Sequence, residues 1–393
     1  MNTFKNKRIQ SIDLLRGLVI LLMALDHVRD YFHYDSFMYD PSDLTQTTVP
    51  IFFTRFITHL CAPVFCFLAG TSAFFVGQKK DLNSLSVWLL KRGLWLIIVE
   101  FTIVNFGWYF KFNTTFIDLA VIWCLGASMI FLAGLIRLPK SMAILIALFF
   151  VFGHNLFDSF KPIPNDIFSK LWYVFHVEGE FKLGSLTVYS VYPLMPWIGL
   201  MTLGYFLGQF YLPTFNSKKR IKILYGAGIL LLVLFLVFRI SNLYGDLHPW
   251  TKQNSLTYSI LSILKVTKYP PSFAFICITI GPALILLAAF ENFKNSLSKI
   301  FITIGQVPMF FYVVHIYIIH VVAIFAALAT GYQFSDMILN VWIPFSPDLK
   351  GYGFSLPIVY LVWLGILVVL YPITKKYNRY KKDNKDKWWL SYL

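Results

Sequence analysis

Charged residues are scarce in this sequence, and their scarcity excludes an ordinary soluble protein. Only 13% of the 393 residues are Asp, Glu, Lys or Arg, whereas 58% are hydrophobic and 19% are aromatic. A soluble domain carries about 25% charged residues and about half apolar ones. The surplus apolar surface must therefore face lipid rather than a protein core.

Cysteine is also rare, and its placement excludes a disulfide framework. The four cysteines lie within apolar segments, and none forms a Cys-x-x-Cys pair: Cys61, Cys66, Cys124 and Cys277. The sequence has no Gly-rich phosphate loop and no Gly-x-Ser-x-Gly nucleophile motif. It also lacks a His-x-x-x-His pair on one helix, so we expect no metal.

What the sequence has in excess is positive charge, formally +15. The basic residues cluster in short gaps between apolar runs and in the C-terminal tail, as the positive-inside rule requires of cytoplasmic segments. We therefore interpret the charge as a signal of membrane topology and expect no nucleic-acid partner. The N-terminal apolar run contains Asp13, Arg16, Asp26 and His27, so it does not read as a cleaved signal peptide.

Apolar runs of spanning length predict an all-α, polytopic transmembrane bundle of about ten helices, with both termini cytoplasmic. The longer gaps at 33–51, 158–189, 241–271 and 330–353 then face the other side of the membrane. We expect one domain over residues 1–375 and a basic cytoplasmic tail over 376–393. The runs lie near 11–32, 52–76, 87–109, 116–136, 141–157, 190–211, 221–240, 272–290, 300–329 and 354–374.

The first predicted helix carries the most informative ionisable residues. Charged groups inside a span cost about 2.5–3.5 kcal/mol each on insertion scales, and by default they suggest function. Arg16 and His27 are eleven residues apart, which is about three helical turns, so they share a face about 16 Å apart. Asp13 can pair with Arg16 on that face. The structural alternative is an Asp–Arg pair that orients the helix end, with His27 an ordinary hydrogen-bonded histidine.

A second cluster begins the next helix, where Arg55 and His59 share one face at i and i+4. These residues should meet Asp26, Arg29 and Asp30 across a short outer loop, either as a site or as a purely structural ion-pair cluster. Further candidates for an outer site are Lys268, His315 and Trp197. The structural alternative is that His315 is a buried histidine with its hydrogen bonds satisfied, and that Trp197 belongs to an irregular helix start with no role in a site.

These residues predict a polar seam that meets one substrate at each membrane face. His27 or His59 could act as a general base, with its tautomer held by Asp26 or Asp30. Arg16, helped by Arg8 or Arg92, suits the recognition of a phosphorylated donor because the guanidinium presents a planar fork of donors.

Five segments carry a resemblance that runs from Arg8 to about Tyr371. They are RIQSIDLLRGLVILLMALDHVRDYF, THLCAPVFCFLAGTSAF, YPLMPWIGLMTLGYFLG, KYPPS and VPMFFYVVHIYIIH. The chain resembles a bacterial family related to the heparan-α-glucosaminide N-acetyltransferase catalytic domain. The spacing of Arg16 and His27 also resembles the Arg/His pair of the membrane acyltransferase-3 group. The resemblance implies a bacterial cytoplasmic membrane and acyl transfer from cytoplasmic acetyl-CoA, or another acyl-CoA, to an extracytoplasmic saccharide amine or hydroxyl.

The sequence departs from that family at the catalytic histidine. Family members place it in the first non-cytoplasmic stretch, after an asparagine at the position that His27 occupies here. His33 lies in that stretch without a clear positional match, so His27 is the first candidate, His59 the second and His33 the third. We expect an O- or N-acyltransferase; the rival hypothesis is a proton-coupled transporter or flippase that uses the same seam. The oligomeric state stays open between a monomer and a homodimer.

Overall fold

A computed structural model describes residues 8–112, 115–160 and 166–391, and helices dominate it. Residues 1–7 of the predicted domain and 392–393 of the predicted tail lie outside the described residues. In chain order the α-helices are α1 Gln10–Phe32, α2 Val49–Thr58, α3 Cys61–Gly77, α4 Leu82–Val99, α5 Asn105–Tyr109, α6 Val121–Leu135, α7 Lys140–Leu148, α8 Ile167–Phe175, α9 Leu194–Leu207, α10 Ser217–Ser241, α11 Leu256–Leu264, α12 Phe273–Phe290, α13 Ser296–Gly305, α14 Pro308–Ala329 and α15 Leu356–Asp383.

Six helical stretches of the described chain are long and apolar enough to cross a membrane. They confirm the prediction of an all-α, polytopic membrane protein. The helix α1 has 23 residues, but its ionisable side chains set it apart from these six. The six are Val49–Gly77, Lys140–Phe157, Ser217–Ser241, Phe273–Phe290, Pro308–Ala329 and Leu356–Asp383.

Three of the predicted apolar runs do not form a single continuous helix. The run at 52–76 is divided at His59, between α2 and α3, and the run at 300–329 is divided just before Pro308, which has no backbone N–H to continue the ladder. The run at 116–136 begins as a β-strand instead of a helix. The last helix continues past residue 375 to Asp383, so the basic tail begins as helix, while the domain boundary itself stays a prediction.

The helix α1 is central in the bundle, where it contacts six other helices: α2, α3, α12, α13, α14 and α15. Its middle is apolar and buried, with Val19, Ile20 and Ala24 fully enclosed. Its two ends carry the ionisable side chains. Because six helices surround α1, each of those side chains must find its partner inside protein rather than in lipid.

Glycine lets several helices approach backbone to backbone. A Cβ placed on Gly17 of α1 would lie 2.0 Å from the carbonyl oxygen of Phe301, and one on Gly305 of α13 would lie 2.0 Å from that of Asp13. The pair Gly70 and Gly204 joins α3 to α9 in the same reciprocal way. Lipid tails are as apolar as the side chains of a helix, so the hydrophobic effect does not drive helices together within a membrane. Helices associate there through close packing, which small residues allow.

Replacing Gly17 with alanine should therefore destabilise the protein, because the new methyl group forces α1 away from α13. We expect a loss of about 1–3 kcal/mol, as for other overpacked cores, measured as a lower melting temperature in detergent. The matched control is Gly226→Ala in α10, where nothing lies within 4 Å of the added carbon. That variant should match or slightly exceed the wild type, since alanine favours helix. Equal melting temperatures for all three proteins would contradict the prediction.

A small sheet covers the outer end of the bundle. Its strands are β1 Phe116–Leu119, β2 Gly179–Leu183 and β3 Leu186–Ser190, in the order β1-β3-β2. β2 and β3 form a hairpin whose tight turn contains Gly184 at φ +64°, a left-handed conformation that suits glycine. β1 runs parallel to β3 and brings Asp118 opposite Tyr189. The sheet thus carries polar side chains to the end of α1.

Candidate active site

A cavity of about 440 Å³ lies at the end of α1 that the predicted topology places on the outer side. Its walls come from α1, α2, α5, α14, the small sheet and the outer loops. Such a volume suits a small ligand. The ionisable residues that line it are Asp26, His27, Arg29, Asp30, Asp40, Arg55, Glu100, Asp118, Glu178 and Lys268.

Asp26 is the centre of a buried ion-pair cluster. Its carboxylate lies 2.8 Å from Nη1 of Arg29, one helical turn away, and 2.8 Å from Nη1 of Arg55 in α2. The hydroxyl of Thr58 donates a further bond of 2.8 Å to the same carboxylate. Arg29 also pairs with Asp30 at 2.6 Å. The predicted meeting of Arg55 with the end of α1 is therefore observed, and two acids balance two arginines.

His27 is held by another histidine and not by a carboxylate. Its Nδ1 lies 2.8 Å from Nε2 of His315 in α14, and Nδ1 of His315 lies 3.1 Å from the carbonyl oxygen of Phe311. That oxygen only accepts, so the neutral His315 carries its proton on Nδ1 and accepts at Nε2. His27 then donates through Nδ1–H, and its Nε2 keeps a free lone pair. The difference from the expected carboxylate partner arises because the two arginines and Thr58 already occupy Asp26.

Aromatic rings hold His27 at the wall of the cavity. The ring of Trp108 meets it edge-on at 4.8 Å between centroids, and the ring of His315 lies nearly parallel to it with its centroid 5.0 Å away. Trp108 and Tyr312 line the same cavity. A neutral imidazole with a fixed tautomer, an apolar surround and one available nitrogen has the features of a general base.

Two carboxylic acids from the sheet region form the opposite side of the cavity. Tyr109 donates a hydrogen bond to Asp118, and Tyr189 donates one of 2.8 Å to Glu178. Burial raises the pKa of Asp118 to about 6, although the bond from Tyr109 opposes the shift. Burial likewise raises the pKa of Glu178 to about 7, against the bond from Tyr189 and the charge of Lys268. Both groups can thus change protonation near neutral pH.

The raised pKa of Glu178 predicts a pH-dependent loss of stability. The folded protein holds this proton up to about pH 7, whereas an unfolded chain releases it near 4.5. Folding stability must therefore fall as pH rises between these values, because the folded state then binds more protons. The substitution Glu178→Gln removes the effect, so its stability relative to wild type should improve from pH 5 to pH 8 by about 2 kcal/mol.

Thermal unfolding in detergent at the two pH values measures that difference, and Glu180→Gln on the exposed neighbour is the control. The control should follow the wild type at both pH values. A constant difference between Glu178→Gln and wild type across the range would mean that Glu178 ionises as it does in water.

The other end of α1, which the predicted topology places on the cytoplasmic side, holds Arg16 in a dense set of contacts. Its guanidinium lies 3.3 Å from Asp13, donates to the hydroxyl of Ser72 at 2.8 Å and donates to the carbonyl oxygen of Gly305 at 3.2 Å. Arg8 reaches the same Asp13 at 2.6 Å, while its own side chain is about half exposed. The predicted pair of Asp13 and Arg16 is therefore present, and it also joins α1 to α3 and α13.

A positive cluster surrounds this pair. The charges of Arg92, Arg8 and Arg16 all act on the ammonium of Lys381 near the end of α15. Sequence reasoning grouped the three arginines but did not include Lys381, because nothing local connects α15 with α1. Such a concentration of cationic donors is suited to phosphate groups.

Hydrophobic packing separates the two ends of the predicted seam. Between Arg16 and His27, the α1 residues Val19, Ile20 and Ala24 are fully buried and Met23 nearly so. The lining of the outer cavity includes His27 but does not extend to Arg16. The seam is thus two polar sites on one helix, joined by an apolar segment.

Of the remaining candidates, only Lys268 lines the cavity, and His59, His33, Trp197 and His315 lie outside its lining. His59 is buried with its ring 5.4 Å from that of Phe275. His33 is buried, and its Nδ1 accepts a bond from the backbone N–H of Asp35; burial lowers its pKa. Trp197 packs on Tyr192. His315 acts behind His27, whereas Lys268 lines the cavity itself. Catalytic and binding roles for all of these stay predictions.

Sequence reasoning missed the carboxyl groups of Glu100, Asp118 and Glu178. Each lines the cavity, and Glu100 accepts from the backbone N–H groups of Ile122 and Trp123 at the start of α6. A signal was available, because Glu100 and Asp118 are acids inside apolar runs, which by default suggest function. Glu178 had no such signal, since it lies in a polar outer segment.

One comparison with known proteins finds a match, and it is to a family model. No curated protein matches the chain significantly. Residues 8–241 match the family described as heparan-alpha-glucosaminide N-acetyltransferase, catalytic. The match covers more than half of the 393 residues and includes α1 with both of its polar ends. The chain therefore belongs to the heparan-alpha-glucosaminide N-acetyltransferase catalytic family.

Proposed function

We propose that this protein transfers an acetyl or other acyl group from cytoplasmic acyl-CoA to a saccharide amine or hydroxyl on the outer side of a bacterial cytoplasmic membrane. The observation that carries the proposal is the 2.8 Å contact between His27 Nδ1 and His315 Nε2, from which the tautomer of His27 follows. Its Nδ1–H is committed to His315, which leaves a basic Nε2 at the wall of the cavity. The acetyltransferase family supplies the reaction class.

In the proposed reaction the acceptor occupies the outer cavity beside His27. Its oxygen or nitrogen attacks the thioester carbonyl carbon while His27 Nε2 takes the proton from the attacking atom. The new bond to carbon forms as the carbon–sulfur bond breaks, and the proton then passes to the departing thiolate. Arg29, Arg55 and Lys268 give the cavity positive charge near the developing oxyanion, and the two sheet carboxyls can accept hydrogen bonds from sugar hydroxyls.

The donor would bind at the cytoplasmic cluster. Arg8, Arg16 and Arg92, together with Lys381, would hold its phosphates. The apolar segment at Val19 and Ala24 lies between this cluster and His27. The acyl arm must therefore pass along α1 by a local opening of the packing, a motion that the proposal requires.

The test is a transfer assay with the purified full-length protein in proteoliposomes. Radiolabelled acetyl-CoA is supplied on one side only and a panel of amino sugars and neutral sugars on the other. Labelled saccharide on the opposite side would support a transmembrane acyltransferase. Movement of unmodified sugar under a proton gradient, without acetyl-CoA consumption, would favour the rival transporter. Neither transfer nor hydrolysis with acetyl-CoA and longer acyl-CoAs would overturn the proposal.

A further inference from the structure

A second group of ionisable side chains lies away from the cavity, where the span Lys140–Phe157 meets α8. His154 lies in the turn that ends this span, Asp158 follows it, and His176 comes directly after α8. One ligand atom from each of the three lies within 4.8 Å of the others. None of the three lines the cavity beside α1.

Both imidazoles are fully buried, and none of their four ring nitrogens has a hydrogen-bond partner of good geometry among the described residues, although the backbone of Pro271 lies close to His154. A buried polar group without a partner is costly, and native proteins rarely leave one without a reason such as a bound ion. The closest polar contact is an approach of 3.3 Å between His176 Nε2 and Asp158 Oδ1. The rings of His154 and His176 lie 5.6 Å apart between centroids, at an angle of 71°.

The carboxylate of Asp158 is oriented by a neighbour, as ligating carboxylates usually are. Asn155 donates through Nδ2 to Asp158 Oδ2 at 2.8 Å, which leaves Oδ1 directed at the histidines. The other atom of that amide, Oδ1, accepts from the backbone N–H of Phe273 at the start of α12. Around the group, the rings of Trp172 and Phe157 form an apolar shell. A supporting hydrogen bond and a dry surround are typical of metal centres.

We propose that His154, Asp158 and His176 bind one Zn²⁺ ion that ties the outer end of the span Lys140–Phe157 to α8. Two imidazole nitrogens and one carboxylate oxygen are ligands that zinc prefers, and water would complete the tetrahedron. Zinc bonds of 2.0–2.1 Å place tetrahedral ligands about 3.4 Å apart. His176 Nε2 and Asp158 Oδ1 already lie 3.3 Å apart, and the other ligand atoms, all within 4.8 Å of one another, must approach by at most about 1.4 Å, a shift that side-chain rotation supplies.

The sequence predicted no metal because it has no His-x-x-x-His pair on one helix. His154 and His176 are separated by a whole outer segment, and only the fold brings them together. None of the three ligands lines the cavity, so the site is distinct from the proposed acyl transfer, although Glu178 of the cavity wall follows His176 by two residues. Its role would be to fix α8 against the bundle.

Zinc content of the tag-free, full-length protein in detergent tests the proposal. Chelator-treated protein is equilibrated with Zn²⁺ and dialysed, and bound metal is measured by mass spectrometry. We expect one zinc per chain in wild type, and at least about tenfold weaker binding in His154→Gln and His176→Gln. The matched control His248→Gln changes an exposed outer histidine and should keep the zinc. Equal zinc binding by all four proteins would overturn the site.

A second measurement does not depend on how the variants fold. Co²⁺ replaces zinc in the chelator-treated wild type, and its visible spectrum reports the coordination geometry. An intense absorption that Zn²⁺ displaces would support a tetrahedral site with nitrogen ligands. A weak spectrum like that of Co²⁺ in water would overturn the proposal, and the cluster would then be a buried His–Asp–His contact without an ion.

Discussion

The substitution His27→Gln should lower the rate of acyl transfer by about 100- to 10,000-fold, the usual contribution of a general base. Glutamine preserves much of the size of histidine, and its amide can donate to His315 in place of Nδ1–H. It has no basic nitrogen to take a proton from the acceptor. The loss should therefore appear in the rate constant with little change in donor affinity or in melting temperature.

Two further variants separate the chemistry from the structure. His315→Leu removes the acceptor that fixes the His27 tautomer but leaves the base in place, so we expect a smaller loss than for His27→Gln. His248→Gln, on the exposed outer loop, is the matched control and should transfer acyl groups like the wild type. If His27→Gln keeps more than about a tenth of wild-type activity, then His59 or His33 becomes the leading candidate for the base.

Removing the charge of Asp26 should cost about 3–5 kcal/mol of stability, the largest structural effect that we expect. Its carboxylate contacts both Arg29 and Arg55 at 2.8 Å. In Asp26→Asn, Arg29 keeps its ion pair with Asp30, whereas Arg55 loses its ion pair and keeps only the more distant charges of Asp40 and Asp30, so one buried positive charge is left without a paired carboxylate. An amide of the same shape cannot replace the lost charge, so packing alone will not rescue the variant.

Thermal unfolding in detergent measures this effect, and Asp348→Asn on an exposed carboxylate is the control. The double variant Asp26→Leu with Arg55→Leu provides a sharper test. It removes one acid and one base together and leaves Arg29 paired with Asp30, so it should recover part of the lost stability. The single variants Asp26→Leu and Arg55→Leu are measured alongside it. If the double variant loses at least as much stability as the two single variants lose together, the Asp26–Arg55 pair does not carry the effect.

The metal prediction and the active-site predictions are separable by experiment. Zinc removal should loosen α8 and the adjoining outer segment without touching His27. The Asp26 variant should instead weaken the junction of α1 and α2. General unfolding of a variant would abolish zinc binding and acyl transfer together. The variants at exposed residues should keep both activities, so they show whether a joint loss comes from unfolding.

Composition and the spacing of nearby residues were enough to predict the membrane helices and the ion pair within α1. Scarce charge and long apolar runs predict membrane helices, because each run must satisfy its own backbone in lipid. Spacing on one helix predicts that Asp13 meets Arg16, since residues three apart share a face. The ionisable residues of α1 stood out for the same reason: charge in a span needs a partner.

Contacts between distant helices were decided only by tertiary structure. The partner of His27 is His315, 288 positions along the chain. Strand pairing places Asp118 opposite Tyr189, whose hydroxyl donates to Glu178, and the fold brings His154 to His176. No local pattern encodes these neighbours, because they depend on which helices approach closely. That approach is set by glycine contacts such as Gly17 with Phe301, and these become visible only once the bundle is assembled.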